Sequence, residues 1–330
     1  MNVPEGVGEE HVGIVLRAAS GQYTVQVISE AGGAAPQYRC VLRGNLKKNF
    51  TYNTSLSVAR RVTRAKRPHT KDTVAIGDRV RFVVADNGSG VIEEVLPRIT
   101  RFARTVDRGM EQTLITNLDQ IVIVFACAEP NPDPWRIDRW IVAAEYYEVE
   151  PLLIANKCDL VDIATFERTF HAFEGLGYRV IRTSAQANIG IDALRESLNG
   201  RISAFSGPSG VGKSSLLNQV QPGLHLNTGE IGYTTFKGRH TTTVRELIPL
   251  DLGGWVADTP GLRQLELMKM GREELITCFI EFRPFLEEFC KFRDCKHENE
   301  PGCNIKRAVE EGHISTRRYQ SFLQMAHEFG

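Results

Sequence analysis

Over the first hundred residues, apolar and polar positions alternate in short runs, which is the two-residue period of half-buried β-strands. The runs His11–Arg17, Tyr23–Ile28, Tyr38–Leu42, Arg79–Ala85 and Val91–Val95 are separated by turn signals at Gly21, Gly77 and Gly88–Gly90. Short strands at this density predict a small closed barrel, of oligonucleotide-binding (OB) or SH3-like type. The polar stretch between Leu46 and Thr73 reads as an exposed loop of that barrel.

The texture changes near residue 100. Near-continuous apolar runs at Gln120–Ala126, Pro151–Ala155, Arg179–Thr183, Ile202–Phe205 and Gly254–Ala257 alternate with helical patterns at Arg136–Tyr147, Ile163–Leu176, Ile191–Leu198 and Ser214–Val220. Strands of this kind between helices predict a parallel sheet covered on both faces. Beyond residue 271 the pattern is mostly helical, with helices expected at Ile305–Glu311 and Thr316–Phe329. The predicted fold class is therefore multidomain α/β. It comprises an OB-like β-barrel over 1–99, an α/β domain over 100–270 and a helical domain over 271–330.

Composition narrows the setting. No run of about 18 apolar residues is present to form a transmembrane helix, and the first residues lack the basic start and apolar stretch of a signal peptide. Seven cysteines without an export signal point to thiols or metal ligands in place of disulfides. The expected location is cytoplasmic. Forty basic and forty acidic residues cancel, but unevenly along the chain. Between positions 43 and 71, Arg43, Lys47, Lys48, Arg60, Arg61, Arg64, Lys66, Arg67 and Lys71 stand without one acid. Such a block is the electrostatic footprint expected for a polyanion such as RNA, although a charge run by itself is more often a solvated basic loop.

The sharpest motif is Gly207-Pro208-Ser209-Gly210-Val211-Gly212-Lys213-Ser214, followed by Ser215. It matches G-x4-G-K-[ST] and sits between an expected strand and an expected helix, as a phosphate-binding loop requires. Its glycines let backbone N–H groups face phosphates, and the helix N-terminus adds its positive dipole end. Lys213 is placed to reach the β- and γ-phosphates, and the Ser214 hydroxyl to bind Mg²⁺.

Asn156-Lys157-Cys158-Asp159, directly after a buried strand, selects the base. The Asp159 carboxylate can accept two hydrogen bonds from guanine, which adenine cannot supply, and a mismatched base leaves buried polar groups unpaired. Asn156 braces the loops and the Lys157 stem lies along the base. Thr183-Ser184-Ala185, after the next strand, offers a backbone contact to the guanine oxygen. Asp258-Thr259-Pro260-Gly261 follows a strand, where Asp258 can hold Mg²⁺ through water and Gly261 can donate to the γ-phosphate. Thr241 or Thr242, in Gly238–Thr243, is expected to be the switch threonine, with Thr242 assigned to Mg²⁺ beside Ser214. The guanine motifs at 156 and 183 precede the phosphate loop at 207, the reverse of the usual order, so the domain reads as circularly permuted.

Cys290, Cys295, His297 and Cys303 are spaced C-x4-C-x-H-x5-C. Three thiolates and an imidazole complete a tetrahedral structural Zn²⁺ site with no open position. Cys40, Cys127, Cys158 and Cys278 have no partner at ligand spacing and are expected to pack.

Taken together, the permuted order, GPSGVGKSS, GRHTTT, DTPG and the metal cluster resemble the ribosome small-subunit-dependent GTPase A (RsgA) family over nearly the whole chain. The resemblance implies a GTPase acting late in small-subunit maturation, stimulated by that subunit and bound to its rRNA. It also implies a hydrophobic residue, here Leu262, where many GTPases carry a water-orienting glutamine. His240, beside the switch threonines, is the candidate to orient water in its place. Two other classes stand against this reading. A metabolic ATPase or kinase would not need Asn156–Asp159. A nucleic-acid module with a decayed nucleotide site would not need Lys213, Ser214 and Asp258 together.

Overall fold

Residues 9–19, 21–28, 35–43, 74–85, 88–106, 110–224, 246–258, 270–288 and 290–329 are described by the computed structural model. The alternating N-terminal runs form five strands: β1 (Glu10–Ala19), β2 (Gln22–Val27), β3 (Gln37–Leu42), β4 (Arg79–Val84) and β5 (Ser89–Val95). They pair in the order β1-β2-β3-β5-β4, and β4 returns to β1 to close the barrel. The pair β3–β5 is parallel while the others are antiparallel. This closed Greek-key order makes the barrel OB-like, a choice the alternation alone left open. Val15, Val25, Cys40, Val80, Phe82 and Ile92 fill its interior.

A hairpin of β6 (Arg101–Val106) and β7 (Met110–Thr116) follows. Next come β8 (Gln120–Ala126), α1 (Pro134–Tyr146), β9 (Glu150–Asn156), α2 (Ile163–Gly175), β10 (Arg179–Arg182) and α3 (Ile191–Leu198). The chain continues through β11 (Ile202–Ser206), α4 (Lys213–Val220), β12 (Glu246–Pro249) and β13 (Trp255–Asp258). The C-terminal part holds α5 (Arg272–Thr277), a 3-10 turn (Ile280–Phe285), α6 (Asn304–Glu310) and α7 (Thr316–Phe329).

These elements fall into two compact units. One comprises residues 1–120, 195–205 and 231–261. In it β11 runs parallel to β13, and β12 runs antiparallel to β13, departing from the all-parallel expectation. A buried polar bracket ties the barrel turn before β4 to the hairpin. Both Asp78 oxygens accept from Arg98 at 2.7 Å, and Thr116 Oγ1 donates to Asp78 Oδ1 at 2.8 Å. Asp78 and Arg98 are 0% and 2% exposed, so each ion depends on the other for its solvation.

The second unit comprises residues 121–194, 206–230 and 262–330. Here β8, β9 and β10 are neighbours in that order, and β9 and β10 run parallel. Every β8 residue is buried, as a strand covered on both faces requires. Asp133 caps α1 by accepting from Trp135 N–H at 3.0 Å, with Pro134 in the first turn. Asp162 does the same for α2 through Thr165 N–H at 2.8 Å. The buried stripe Phe166, Phe170, Phe173 on α2 keeps helical spacing and faces the core.

Candidate functional site

A cleft of about 240 Å³ opens between the loops that follow β9, β10 and the phosphate loop. Asn156, Lys157, Asp159, Ser184, Ala185, Gly212 and Ser215 line it, so residues from all three predicted segments meet there. Asn156 holds them together. Its Nδ2 donates to the Val211 carbonyl at 2.8 Å, and its Oδ1 accepts from Thr183 Oγ1 at 3.1 Å. Two glycines allow the phosphate loop to pack closely, one against Asn156 and one against β8. Gly212 has φ 94°, and a side chain there would begin 2.3 Å from Asn156 Nδ2. Gly207 has φ 128°, and its added carbon would stand 2.1 Å from the Val124 carbonyl oxygen.

Lys213 opens α4, and its Nζ donates to the Gly207 and Pro208 carbonyls at 2.8 and 2.5 Å. The ammonium therefore lies within the loop that is to hold phosphates, with Ser214 buried one residue on and Ser209 and Gly210 exposed at the tip. Lys157 adopts the left-handed conformation at φ 57°, uncommon for a residue with a side chain. Its Nζ donates to the Glu129 carbonyl, which orients the stem beside the exposed Asp159. Cys158 is buried, its N–H donating to the Thr183 carbonyl at 3.1 Å. Ser184 pairs both backbone groups with Ile189, and its Oγ accepts from Ala187 N–H at 3.0 Å.

In the C-terminal part, the ligand atoms of Cys290, Cys295, His297 and Cys303 all lie within 4.8 Å of one another. His297 Nδ1 stands 3.6 Å from Cys290 Sγ and 3.3 Å from Cys303 Sγ. A tetrahedral metal with thiolate and imidazole ligands would space them by about 3.6 Å, so the donors fit a single ion. Burial pushes the Cys295 thiol up to about 12 and lowers the His297 imidazole, favouring its neutral, ligating form. Neighbouring residues fix the loop. Asn304 N–H donates to Cys290 Sγ at 3.3 Å, Tyr319 OH to the His297 carbonyl at 2.7 Å, and the Glu300 carboxylate accepts from Lys296 and Glu298 N–H at 3.0 Å. The other four cysteines are buried, as packing residues are.

Residues 95–268 match the family model described as RsgA GTPase. The chain is 38% identical over 318 residues to the small ribosomal subunit biogenesis GTPase RsgA of Gemmatimonas aurantiaca, covering 96% of each chain. It is 35% identical to the protein of the same name from Alkaliphilus metalliredigens, covering 96% of this chain and 97% of that one. The chain belongs to the RsgA GTPase family. Solved structures agree with this membership. YjeQ from Thermotoga maritima superposes with a TM-score of 0.74 at 34% identity, covering 97% of this chain and 99% of that one. YloQ, described as a circularly permuted GTPase, gives 0.72 at 28% identity, covering 99% and 98%.

Within this RsgA GTPase, several expected site residues lie outside the described residues. They are His240, Thr241, Thr242 and Gly261 of the switch segments, and Lys47, Lys48, Arg60, Arg61, Arg64, Lys66 and Arg67 of the basic block. Asp258 ends β13, its backbone opposite Glu246 of β12. Arg43 follows β3 and pairs with Glu93 at 2.7 Å on the barrel surface. The structure also adds residues that spacing did not single out. Leu160 and Gln186 line the cleft, and the Glu129 carbonyl receives Lys157. Leu160 and Gln186 each stand one residue past a recognised motif, a signal a sequence reading can use; a backbone carbonyl carries none.

Proposed function

We propose that this RsgA GTPase binds GTP in the cleft of the second unit and hydrolyses it on the small ribosomal subunit during late maturation. The carrying observation is that Asn156 joins the phosphate loop, through Val211, to the base loop and to Thr183. This arrangement places Asp159 in the same cleft as Gly212 and Ser215. Asp159 would then read guanine, with the Ala185 backbone at its oxygen and the Lys157 stem along the ring. Gly207 to Ser214 would cradle the phosphates. Ser214, Thr242 and Asp258 are the residues to hold Mg²⁺, which when bound neutralises charge developing on the phosphates. Lys213 would leave its carbonyl partners for the β- and γ-phosphates. Gly261 would donate to the γ-phosphate, Thr241 or Thr242 would close over it, and His240 would orient the attacking water that Leu262 cannot.

The relatives' name, small ribosomal subunit biogenesis GTPase, supports that subunit as partner, and the run of basic residues without an acid supports Arg43 with the basic block as its rRNA contact. Three thiolates and one imidazole support Zn²⁺ as a structural ion at Cys290, Cys295, His297 and Cys303. The division into 1–99, 100–270 and 271–330, a monomeric state and a cytoplasmic location complete the proposal. Among the described residues no helix is long and apolar enough to cross a membrane. The deciding experiment is GTP turnover with and without purified small subunits, with ATP as control. Stimulation confined to GTP is expected. Turnover that ignores the subunit would remove the partner, and equal use of ATP would remove the base assignment.

A further inference from the structure

The helix α1 is linked to both chemical centres of the second unit through its neighbours. At its N-terminal side, four residues before Pro134, the loop carrying Glu129 and Pro130 touches the nucleotide loops. The Glu129 carbonyl accepts from Lys157 Nζ, and Pro130 Cδ lies 4.0 Å from where a side chain on Gly210 would begin. Along its length α1 is held by the metal-bearing part of the chain. Asp138, fully buried, accepts from Arg317 at 2.7 Å, Arg318 at 2.8 Å and Ser321 at 2.6 Å, all on α7. Arg318, 2% exposed, also donates to Glu281 of the 3-10 turn at 2.6 and 3.1 Å. Beside Arg318, Tyr319 donates its hydroxyl to the carbonyl of His297, a metal ligand.

A buried ion network of this kind has one fully satisfied arrangement, and a partial one leaves a buried charge uncompensated. α1 therefore cannot shift against α7 without breaking it. The loop around the metal is too small to hold its shape without the ion, so metal binding is part of its folding free energy. Whatever holds α7 also holds α1, and with it the loop that touches Lys157 and the phosphate loop.

We infer that α1 couples the metal cluster to the nucleotide cleft, with Asp138 as the positioning residue. Metal bound at the cluster strengthens guanine-nucleotide binding, and nucleotide strengthens metal binding by the same factor. The inference rests on the proposed nucleotide reading of the cleft. Reciprocity is required by linkage, and couplings between distinct sites run from about 5- to 150-fold.

The test uses the full chain. A fluorescent GDP analogue is titrated into Zn²⁺-loaded and metal-free protein, and Zn²⁺ affinity is measured by chelator competition with and without saturating GDP. The expected result is a GDP dissociation constant at least about 5-fold higher without Zn²⁺, matched by the same factor in Zn²⁺ affinity. In Asp138→Asn the ratio should fall toward one. Tyr319→Phe keeps the ring and the ion network while removing only the bond to His297, so it carries the test if the first variant does not fold. It too should lower the ratio. A merely structural role would lower thermal stability in both variants and leave the ratio unchanged. GDP affinity equal with and without Zn²⁺ would overturn the coupling and leave the proposed site standing. No GDP binding by the Zn²⁺-loaded protein would overturn both.

Discussion

Single side chains in the cleft make the sharpest predictions. The Asp159 carboxylate offers two acceptors, matching the N1–H and exocyclic amine of guanine. In Asp159→Asn one acceptor becomes a donor, which opposes guanine and suits xanthine, whose second position is a carbonyl. Two charge-assisted bonds are lost or inverted, so GTP affinity should fall by about 10³-fold while XTP affinity rises. Competition binding with the two nucleotides checks this, and retained GTP preference would remove Asp159 from the base site. Gly207→Ala addresses the loop itself. The new carbon would meet the Val124 carbonyl oxygen at 2.1 Å with φ at 128°. The expected cost is about 3 kcal/mol of stability together with loss of nucleotide binding, read by thermal unfolding and titration. The motif residues were legible in the sequence because phosphate and guanine chemistry fixes their spacing. The buried pairs were not. Asp78 and Arg98 stand 20 positions apart, Asp138 and Arg318 180 apart, and no local pattern distinguishes them from solvated charges.

Between elements, legibility followed period and length. The five barrel strands and the helices α3 and α7 stand where alternation and helical spacing put them. The β6–β7 hairpin went unread because its strands mix charged and apolar residues without a clean two-residue period, Arg101, Arg104 and Glu111 among them. A strand at Val244–Ile248 was legible and is β12, but its antiparallel direction was not, since strand direction is set by the connection and not by composition. The metal loop was read from ligand spacing alone, and its supports predict its behaviour. Cys303→Ser, or chelation, should expose the 290–304 loop and release α6, because Cys303 is the N-cap position of that helix. Loss of amide protection across 290–313 checks this, and retained protection without metal would count against a structural ion. Glu300 is the inner brace of the loop. Hydrogen bonds from Glu298 and Lys296 N–H hold its carboxyl down at about 2. A depressed carboxyl contributes stability above its ordinary value near 4.5 that is lost as pH falls from there toward 2. At pH 7 the brace is fully formed, so Glu300→Ala should weaken Zn²⁺ binding there, measured by chelator competition.

For the molecule as a whole, net charge is zero, so any attraction to a polyanion must come from local concentration of charge and not from the overall field. The basic block supplies it, with eight candidate residues from Arg43 to Arg67 and no acid among them. Arg43 is paired with Glu93, but the pair is on the surface, where such bonds are worth little and exchange readily for a phosphate. If most of the eight neutralise rRNA phosphates, affinity for the small subunit should fall by roughly 10³-fold between 50 and 200 mM salt. Replacing Lys66 and Arg67 by alanine should flatten that salt slope by about two phosphate contacts. Intrinsic GTP turnover without the subunit should stay unchanged, since neither residue falls within a nucleotide motif. Sedimentation with purified subunits over a salt series, run beside the turnover assay, separates the two readouts. A flat salt profile would move recognition away from the basic block, to shape-selective contacts made elsewhere on the chain.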